Sequence, residues 1–286
     1  MIKKIGHYFS LVTFAHTIFA LPFAFIGFFL ATKLHDYPMN WTTFIFVILC
    51  MIFARNAAMG FNRWADRRID AQNPRTADRE IPNGTISSRN GLIFTLVNAI
   101  LFIATTWFIN TLCFWLSPVA ILVIMGYSLT KRFTVLCHFI LGLGLSLAPI
   151  GAYLSVTGQF HWLPMIFSAI VLTWVSGFDI IFALQDHEFD KEANLFSVPV
   201  WLGKSKALRL SAGIHVITAL LVLLAGFLAE LGWLYFLGSA VFIMLLYYQH
   251  IIVKPDDLSK VNRAFGTTNG TASVVFAAFV LLELFF

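Results

Sequence analysis

Nine long apolar runs, separated by stretches that hold nearly all of the charge, organise this chain. They cover Tyr8–Ala31, Trp41–Gly60, Leu92–Ile109, Leu112–Leu129, Thr134–Val156, Trp162–Leu184, Leu208–Ala229, Leu234–Val253 and Ala264–Leu284. A helix that crosses a bilayer needs about 20 apolar residues. These runs are of that order, and too long and continuous for barrel strands. Lipid offers no partner for backbone N–H and C=O groups, so the predicted state is helix, which satisfies them internally. The expected fold class is an all-α integral membrane bundle of nine transmembrane helices, a single domain over residues 1–286. Pro22, Pro118 and Pro149 fall inside runs and are expected to kink them.

The basic residues give this bundle an orientation. Lys3 and Lys4 precede the first run, Arg63 to Arg89 follow the second, and Lys131 and Arg132 follow the fourth. Lys191, Lys204, Lys206 and Arg209 follow the sixth, and Lys254, Lys260 and Arg263 the eighth. The opposite connections hold only Lys33, and Arg55 lies inside the second run. By the positive-inside rule the N-terminus and these basic loops are expected in the cytoplasm and the C-terminus outside. The opening MIKKIGHYFSLVTF has the charge bias of a signal peptide, but its apolar run is too long, so an uncleaved first helix is expected.

Composition agrees with the patterning: 59% of residues are hydrophobic and 12% charged, far from a soluble domain. The basic balance (pI about 9.2) lies where anionic lipid sits, and no aromatic-interleaved basic groove or recognition-helix pattern accompanies it. Membrane lipid is therefore the expected neighbour, and nucleic acid is not. Cys50, Cys113 and Cys137 lie in or near apolar runs without paired spacing and imply neither disulfide nor zinc site.

In so acid-poor a chain the aspartates carry the chemical signal. NRWADRRID places Asn62, Asp66 and Asp70 at i, i+4, i+8, and DIIFALQDHEFD places Asp179, Asp186 and Asp190 at i, i+7, i+11. Each set lies on one helical face. Alone, Asp66 and Asp70 read equally well as a solvated helix end paired with Arg63, Arg67 and Arg68. A second set, with Asp179 inside its run at a cost in lipid, favours two facing acidic faces that would hold a hard divalent cation and, through it, phosphate. Arg55, seven residues before Asn62, would point into the bundle and suit an anionic group. Lys131 and Arg132 read either as topogenic charges or as groups that neutralise a diphosphate at the cavity mouth. His187 and Glu188 lie off the Asp186–Asp190 face. The two long loops, 61–91 and 185–207, each follow an acidic run, and this recurrence hints at an internal repeat.

Four ordered motifs resemble the UbiA superfamily of intramembrane prenyltransferases. NRWADRRID is similar to its first aspartate-rich motif, NxxxDxxxD, and DIIFALQDHEFD to its second, DxxxAxxDxxxD, with Asp179, Ala183, Asp186 and Asp190 in register. RTADREIPNG resembles the loop after the first motif, with Arg75, Thr76, Arg79, Pro82 and Gly84. YSLTKRFT resembles the turn after the fourth span, with Tyr127, Lys131 and Arg132. The resemblance covers nearly the whole chain and is greatest to the 4-hydroxybenzoate polyprenyltransferase branch. Arg63 stands where many members have an acid, as in a bacterial subgroup that serves menaquinone synthesis.

The resemblance implies a bundle around a central cavity with aspartate-rich cytoplasmic caps, in the bacterial inner membrane. It implies two Mg²⁺ ions held by Asn62, Asp66, Asp70, Asp186 and Asp190, of which the four aspartates would be catalytic, and a polyprenyl diphosphate bound through them. Lys131, Arg132 and Arg79 would offset the remaining phosphate charge. Departure of diphosphate would leave an allylic cation for attack by an aromatic carbon, a 4-hydroxybenzoate-like acceptor or a menaquinone-pathway precursor. The implied substrate-binding residues are Arg55, Asn62, Arg79, Tyr127, Lys131, Arg132 and Asp179, with Arg55 orienting the acceptor and Asp179 ordering Arg55 or holding the phosphate side. From another class, a secondary transporter would also carry intramembrane charge, but near mid-membrane at broken helices. A structural membrane subunit leaves Asp179 and Arg55 unexplained.

Overall fold

The computed structural model describes residues 2–12 and 19–286. Among them there is no β-strand. The chain forms α1 (Ile2–Leu11), α2 (Leu21–Phe29, extended by a π turn to Leu34), α3 (Trp41–Ala65), α4 (Arg67–Asp70), α5 (Ser88–Trp107), α6 (Thr111–Thr130), α7 (Cys137–Thr157) and α8 (Trp162–Ala183). Then come a 3₁₀ turn (Leu184–Asp186), α9 (His187–Glu192), α10 (Val198–Leu202), α11 (Lys204–Leu228), α12 (Trp233–Ile252), a π turn (Arg263–Thr268) and α13 (Asn269–Phe285). Among the described residues eight helical segments are long and apolar enough to cross a membrane, and Leu21–Leu34 is a shorter apolar one. The expected first span, Tyr8–Ala31, falls partly on residues 13–18, which lie outside the described residues.

Local chemistry sets the ends of these helices. Asn40, Ser87, Asn110 and Ser197 cap the N-termini of α3, α5, α6 and α10, each side-chain oxygen accepting a backbone N–H of the first turn. Gly158, at φ 62°, closes α7 in the left-handed conformation. Pro118 and Pro149 lie inside α6 and α7 as expected. Pro22 does not lie in a helix interior: it sits in the first turn of α2, where a missing N–H costs nothing, so it starts that helix instead of kinking it.

The helices pack as neighbours in a bundle: α7 on α8, α3 on α5, α8 on α11, α12 on α13 and α2 on α7. Trp174, Phe23, Phe167, Phe242, Phe276 and Tyr235 fill the main core. Its few polar groups are tied to one another. Trp174 Nε1 and Gln249 Nε2 donate to Asn269 Oδ1 at 2.9 and 2.7 Å, and Asn269 Nδ2 donates to Ala264 O, within the π turn, at 3.0 Å. A buried network of this kind is stabilising only when every member is satisfied.

Where two helices touch most closely the residue is glycine, since small residues let backbones approach inside a membrane. A Cβ on Gly142 of α7 would lie 2.5 Å from Leu172 O of α8, whereas a Cβ on Gly213 of α11 meets nothing within 4 Å. Gly142→Ala should therefore lose about 1–3 kcal/mol to overpacking, while Gly213→Ala should be neutral or gain up to about 1 kcal/mol from helix propensity. Thermal denaturation of the two variants in detergent separates these outcomes, and equal melting temperatures would refute the close-contact account.

Candidate active site

The two aspartate motifs occupy matching breaks in their helices. α3 ends at Ala65, and Asp66 stands at the joint with φ −89° and ψ 5° before α4 begins. α8 ends at Ala183, and after the 3₁₀ turn Asp186 stands at the second joint with φ −97° and ψ 3°. Both aspartates thus hold the sparsely populated bridge conformation. In each motif the next aspartate, Asp70 or Asp190, falls four residues later at a buried position in the short helix that follows. The acidic segments continue helically beyond the apolar runs as expected, but through a bend.

Each of these carboxylates meets a basic side chain from another segment. Arg132 Nη2 donates to Asp66 Oδ1 at 3.0 Å and Arg79 Nη1 to Asp70 Oδ1 at 2.7 Å. Lys131 Nζ lies 2.6 Å from Asp190 Oδ1. Arg75 takes both oxygens of Asp186, from Nε at 2.9 Å and from Nη2 at 2.5 Å, and Asn73 Nδ2 donates to the same Oδ1 at 3.0 Å. Of the local arginines, Arg63 is buried within electrostatic reach of Asp70, and the other two do not face the motif's carboxylates. Arg67 instead donates to Trp64 O at 2.6 Å and stacks on that indole, and Arg68 is exposed. Burial pushes the Asp66 carboxyl upward from its ordinary value, against the hydrogen bond from Arg132, which lowers it. Asn62 Nδ2 donates to Asp66 Oδ2 at 3.2 Å, which leaves the Asn62 carbonyl oxygen for another partner.

The motifs do not stand as a finished metal cage. Among the described residues no three His, Cys, Asp or Glu side chains converge on one point. What bridges the two halves is protein, through Asn73 and Arg75 reaching Asp186. Even so, the donor set fits a hard cation. Asp70 Oδ2 and Asp190 Oδ2 are buried oxygens without a hydrogen-bond partner, and Asn62, Asp66, Asp70, Asp186 and Asp190 offer oxygen alone, the ligand type Mg²⁺ requires.

Asp179 and Arg55 do not meet. Asp179 Oδ2 accepts from His138 Nδ1 at 2.7 Å, and His138 Nε2 accepts the Val198 N–H at 3.2 Å. With Nε2 used as acceptor, the ring proton sits on Nδ1 and points at the carboxylate. Arg55 Nη2 reaches Val12 O at 3.4 Å, and its buried Nε has no partner among the described residues. The expectation that Asp179 orders Arg55 is thereby corrected: an imidazole from α7 is its partner.

Arg55 and Tyr127 border a cavity of about 380 Å³ among α3, α5, α6 and α7. Most of its wall is apolar, with Met51, Phe102, Leu116, Val123 and Leu145 among the lining. The hydroxyls in that wall are turned to their own helices: Thr106 donates to Ile103 O, Ser117 to Phe114 O and Ser155 to Ala152 O. The site thus has a charged rim at the helix joints and an apolar chamber, with a guanidinium in the chamber wall. Glu188 pairs with His187 and Lys204, away from the other acids, as its helical phase required.

Asn73 and His138 are site residues that the sequence did not single out, and Arg75 stood there only within the loop that resembles the family. In the structure Asn73 forms a turn whose Oδ1 accepts the Arg75 N–H at 2.9 Å.

This arrangement, a helical membrane bundle with paired aspartate motifs above an apolar chamber, is that of an intramembrane prenyltransferase, and comparison with known proteins agrees. The sequence profile of the UbiA prenyltransferase family matches residues 20–280, and the chain belongs to that family. It is 30% identical over 245 residues to the 4-hydroxybenzoate octaprenyltransferase of Aliivibrio salmonicida (strain LFI1238), covering 84% of each protein. It is 29% identical over 242 residues to the enzyme of the same name from Aliivibrio fischeri (strain MJ11), covering 84% of this chain and 83% of that one. The apo structure of a UbiA homolog from Aeropyrum pernix K1 superposes with a TM-score of 0.84 at 27% identity, over 94% of this chain and 98% of the other. A UbiA homolog from Archaeoglobus fulgidus bound to GPP and Mg²⁺ shares the fold, with a TM-score of 0.73 at 22% identity over 98% and 100% of the two chains. The protein is an integral membrane protein.

The His138–Asp179 contact makes a stability prediction. His138→Phe leaves a half-buried carboxylate and the Val198 N–H without partners and should lose about 1–3 kcal/mol. His138→Asn, which can still donate to Asp179, should lose less. Equal melting temperatures for the two variants in detergent would count against this hydrogen-bonded role.

Proposed function

We propose that this protein transfers a polyprenyl group from polyprenyl diphosphate to an aromatic acceptor of the 4-hydroxybenzoate type, in the synthesis of a respiratory quinone. The observation that carries the reading is the pairing of two oxygen-rich aspartate joints with an apolar chamber that begins beside them. The names of the Aliivibrio relatives support the substrate class. The whole chain acts as one domain, residues 1–286, in the inner membrane of a bacterium, with the N-terminus and the acidic joints facing the cytoplasm. The run of basic residues beside those joints supports that orientation.

Asn62, Asp66, Asp70, Asp186 and Asp190 would hold Mg²⁺. Bound there, Mg²⁺ supplies Lewis-acid neutralisation of the charge that grows on the departing diphosphate. Lys131, Arg132 and Arg79 stand within the same rim and donate to phosphate oxygens. The chamber wall excludes water, which would otherwise capture the allylic cation. Tyr127 presents its ring at the chamber border, where a π face stabilises positive charge. Arg55 orients the acceptor through its carboxylate, a role supported by its unpartnered buried Nε. Asp179, fixed by His138, keeps a second oxygen for the substrate side of α8.

A second reading of the acceptor, a menaquinone-pathway precursor, is supported by Arg63. That residue is buried beside Asn62 and lies within electrostatic reach of Asp70, Glu80 and Tyr127.

Four experiments test this function and its orientation. Chelation by EDTA should abolish prenyl transfer in membranes given labelled polyprenyl diphosphate and a panel of aromatic acceptors, and excess Mg²⁺ should restore it; full activity in chelator would sink the mechanism. Asp66→Asn should lower transfer to every acceptor, with partial recovery at high Mg²⁺. Arg55→Ala removes a charge-assisted hydrogen bond worth about 1.5–3 kcal/mol and should raise the acceptor KM roughly ten- to a hundredfold. A rise confined to the prenyl diphosphate KM would instead assign Arg55 to the phosphate. A reporter fused after Phe286 should report the periplasm and one inserted near Asn83 the cytoplasm; both on one side would overturn the orientation.

A further inference from the structure

Arg75 differs from the other cations of the rim. Arg79, Lys131 and Arg132 each touch one oxygen of an aspartate. Arg75 leaves the loop after the first motif, crosses to the second and takes both oxygens of Asp186. Asn73 adds a further bond to the same carboxylate. Asp186 is therefore fully satisfied by protein, while Asp70 and Asp190 each keep a bare buried oxygen. The contact leaves the Arg75 side chain 34% exposed, stacked over Phe182 at 5.2 Å. Its backbone is pinned by the Asn73 side chain. The guanidinium can thus swing on its own stem while the loop stays in place.

With Asn73 and Arg75 both donating to its oxygens, Asp186 offers little free acceptor capacity, so a metal ion there competes with the guanidinium. Metal alone would have to evict Arg75 and leave its charge without a partner. A diphosphate bound at the same moment would offer that charge a bidentate anionic partner, the geometry guanidinium favours. We propose that Arg75 is an exchangeable counter-cation: it holds Asp186 in the empty site and passes to the diphosphate when Mg²⁺ takes Asp186, so that metal and diphosphate bind cooperatively. This rests on the metal–diphosphate reading of the rim given above. Such coupling is reciprocal, each ligand raising the other's affinity by the same factor, and it keeps the site from filling with Mg²⁺ when no substrate is present.

The test is calorimetric titration of Mg²⁺ into the purified full chain in detergent, with and without inorganic diphosphate, the Mg²⁺–diphosphate background being measured without protein. Arg75→Gln should bind Mg²⁺ alone about five- to tenfold more tightly than the unmodified chain, and the enhancement by diphosphate should shrink by a similar factor. Arg75→Lys keeps a charge near Asp186 but loses the two-point contact; it should fall between the two, and it carries the comparison if the glutamine variant does not fold. Mg²⁺ binding equal to or weaker than that of the unmodified chain, or an enhancement that stays at its original size, overturns the exchange while leaving the metal site standing. Absence of Mg²⁺ binding in all three proteins, even with diphosphate, removes the metal reading itself and the exchange with it.

Discussion

Four aspartates crowded at one end of an apolar bundle stay ionised only if positive charge is brought to them, because desolvation and mutual repulsion both favour the neutral acid. Much of the chain outside the long helices is arranged by that demand. The segment between α4 and α5 is folded tightly enough to aim two arginines: Thr76 Oγ1 donates to Asp70 O at 3.1 Å, and the Arg79 N–H to Thr76 O at 3.1 Å. Ile81 and Ile86 of the same segment tuck against Leu11 and Val12. On the other side the turn after α6 supplies Lys131 and Arg132, and its Lys131 carbonyl accepts the Phe196 N–H at 2.7 Å. That bond ties the turn to the segment following the second motif, where the Leu195 N–H returns to Asp190 O at 2.8 Å. The rim is one charge-compensated unit drawn from three connections.

The helix joints serve the same end. Had α3 and α8 run on unbroken, Asp70 and Asp190 would have stood a further turn out along the same axes. Bending at Asp66 and Asp186 instead lays the short helices α4 and α9 over the bundle and turns Asp70 and Asp190 inward to buried positions. The equal conformations of the two joints, in segments of different sequence, point to a shared geometric need and not to local propensity, since neither joint carries glycine or proline.

How much of this was legible in the sequence follows from what is local. Apolar runs report their own length, so the later spans stood within a few residues of where they lie. The largest difference, α3 running to Ala65 beyond the apolar run's end at Gly60, is the helical continuation into the first aspartate motif, since a change from apolar to polar residues ends an apolar run without ending a helix. The aspartates were conspicuous because acids are rare here, and their spacing carried their common face. Partners were not legible. Arg75 meets Asp186 across 111 residues and His138 meets Asp179 across 41, and neither contact leaves a trace in either residue's neighbourhood. Pro22 misled because an apolar run shows no internal boundary where a helix starts.

The division between rim and chamber is what lets one site handle a highly charged leaving group and a cation that water would destroy. Charge is concentrated at the joints, where Arg75, Arg79, Lys131 and Arg132 each have an aspartate partner, and in the chamber wall the hydroxyls of Thr106, Ser117 and Ser155 are turned to backbone carbonyls. Arg55 and Tyr127 are the polar groups at the border between the two. A guanidinium there faces little competition from solvent, so an anionic acceptor gains more from it than from the same group in water. In the proposed reaction, the apolar wall that would exclude water from the allylic cation would also let a single arginine choose and orient the acceptor, which links the specificity proposed for this enzyme to the exclusion of water its chemistry requires.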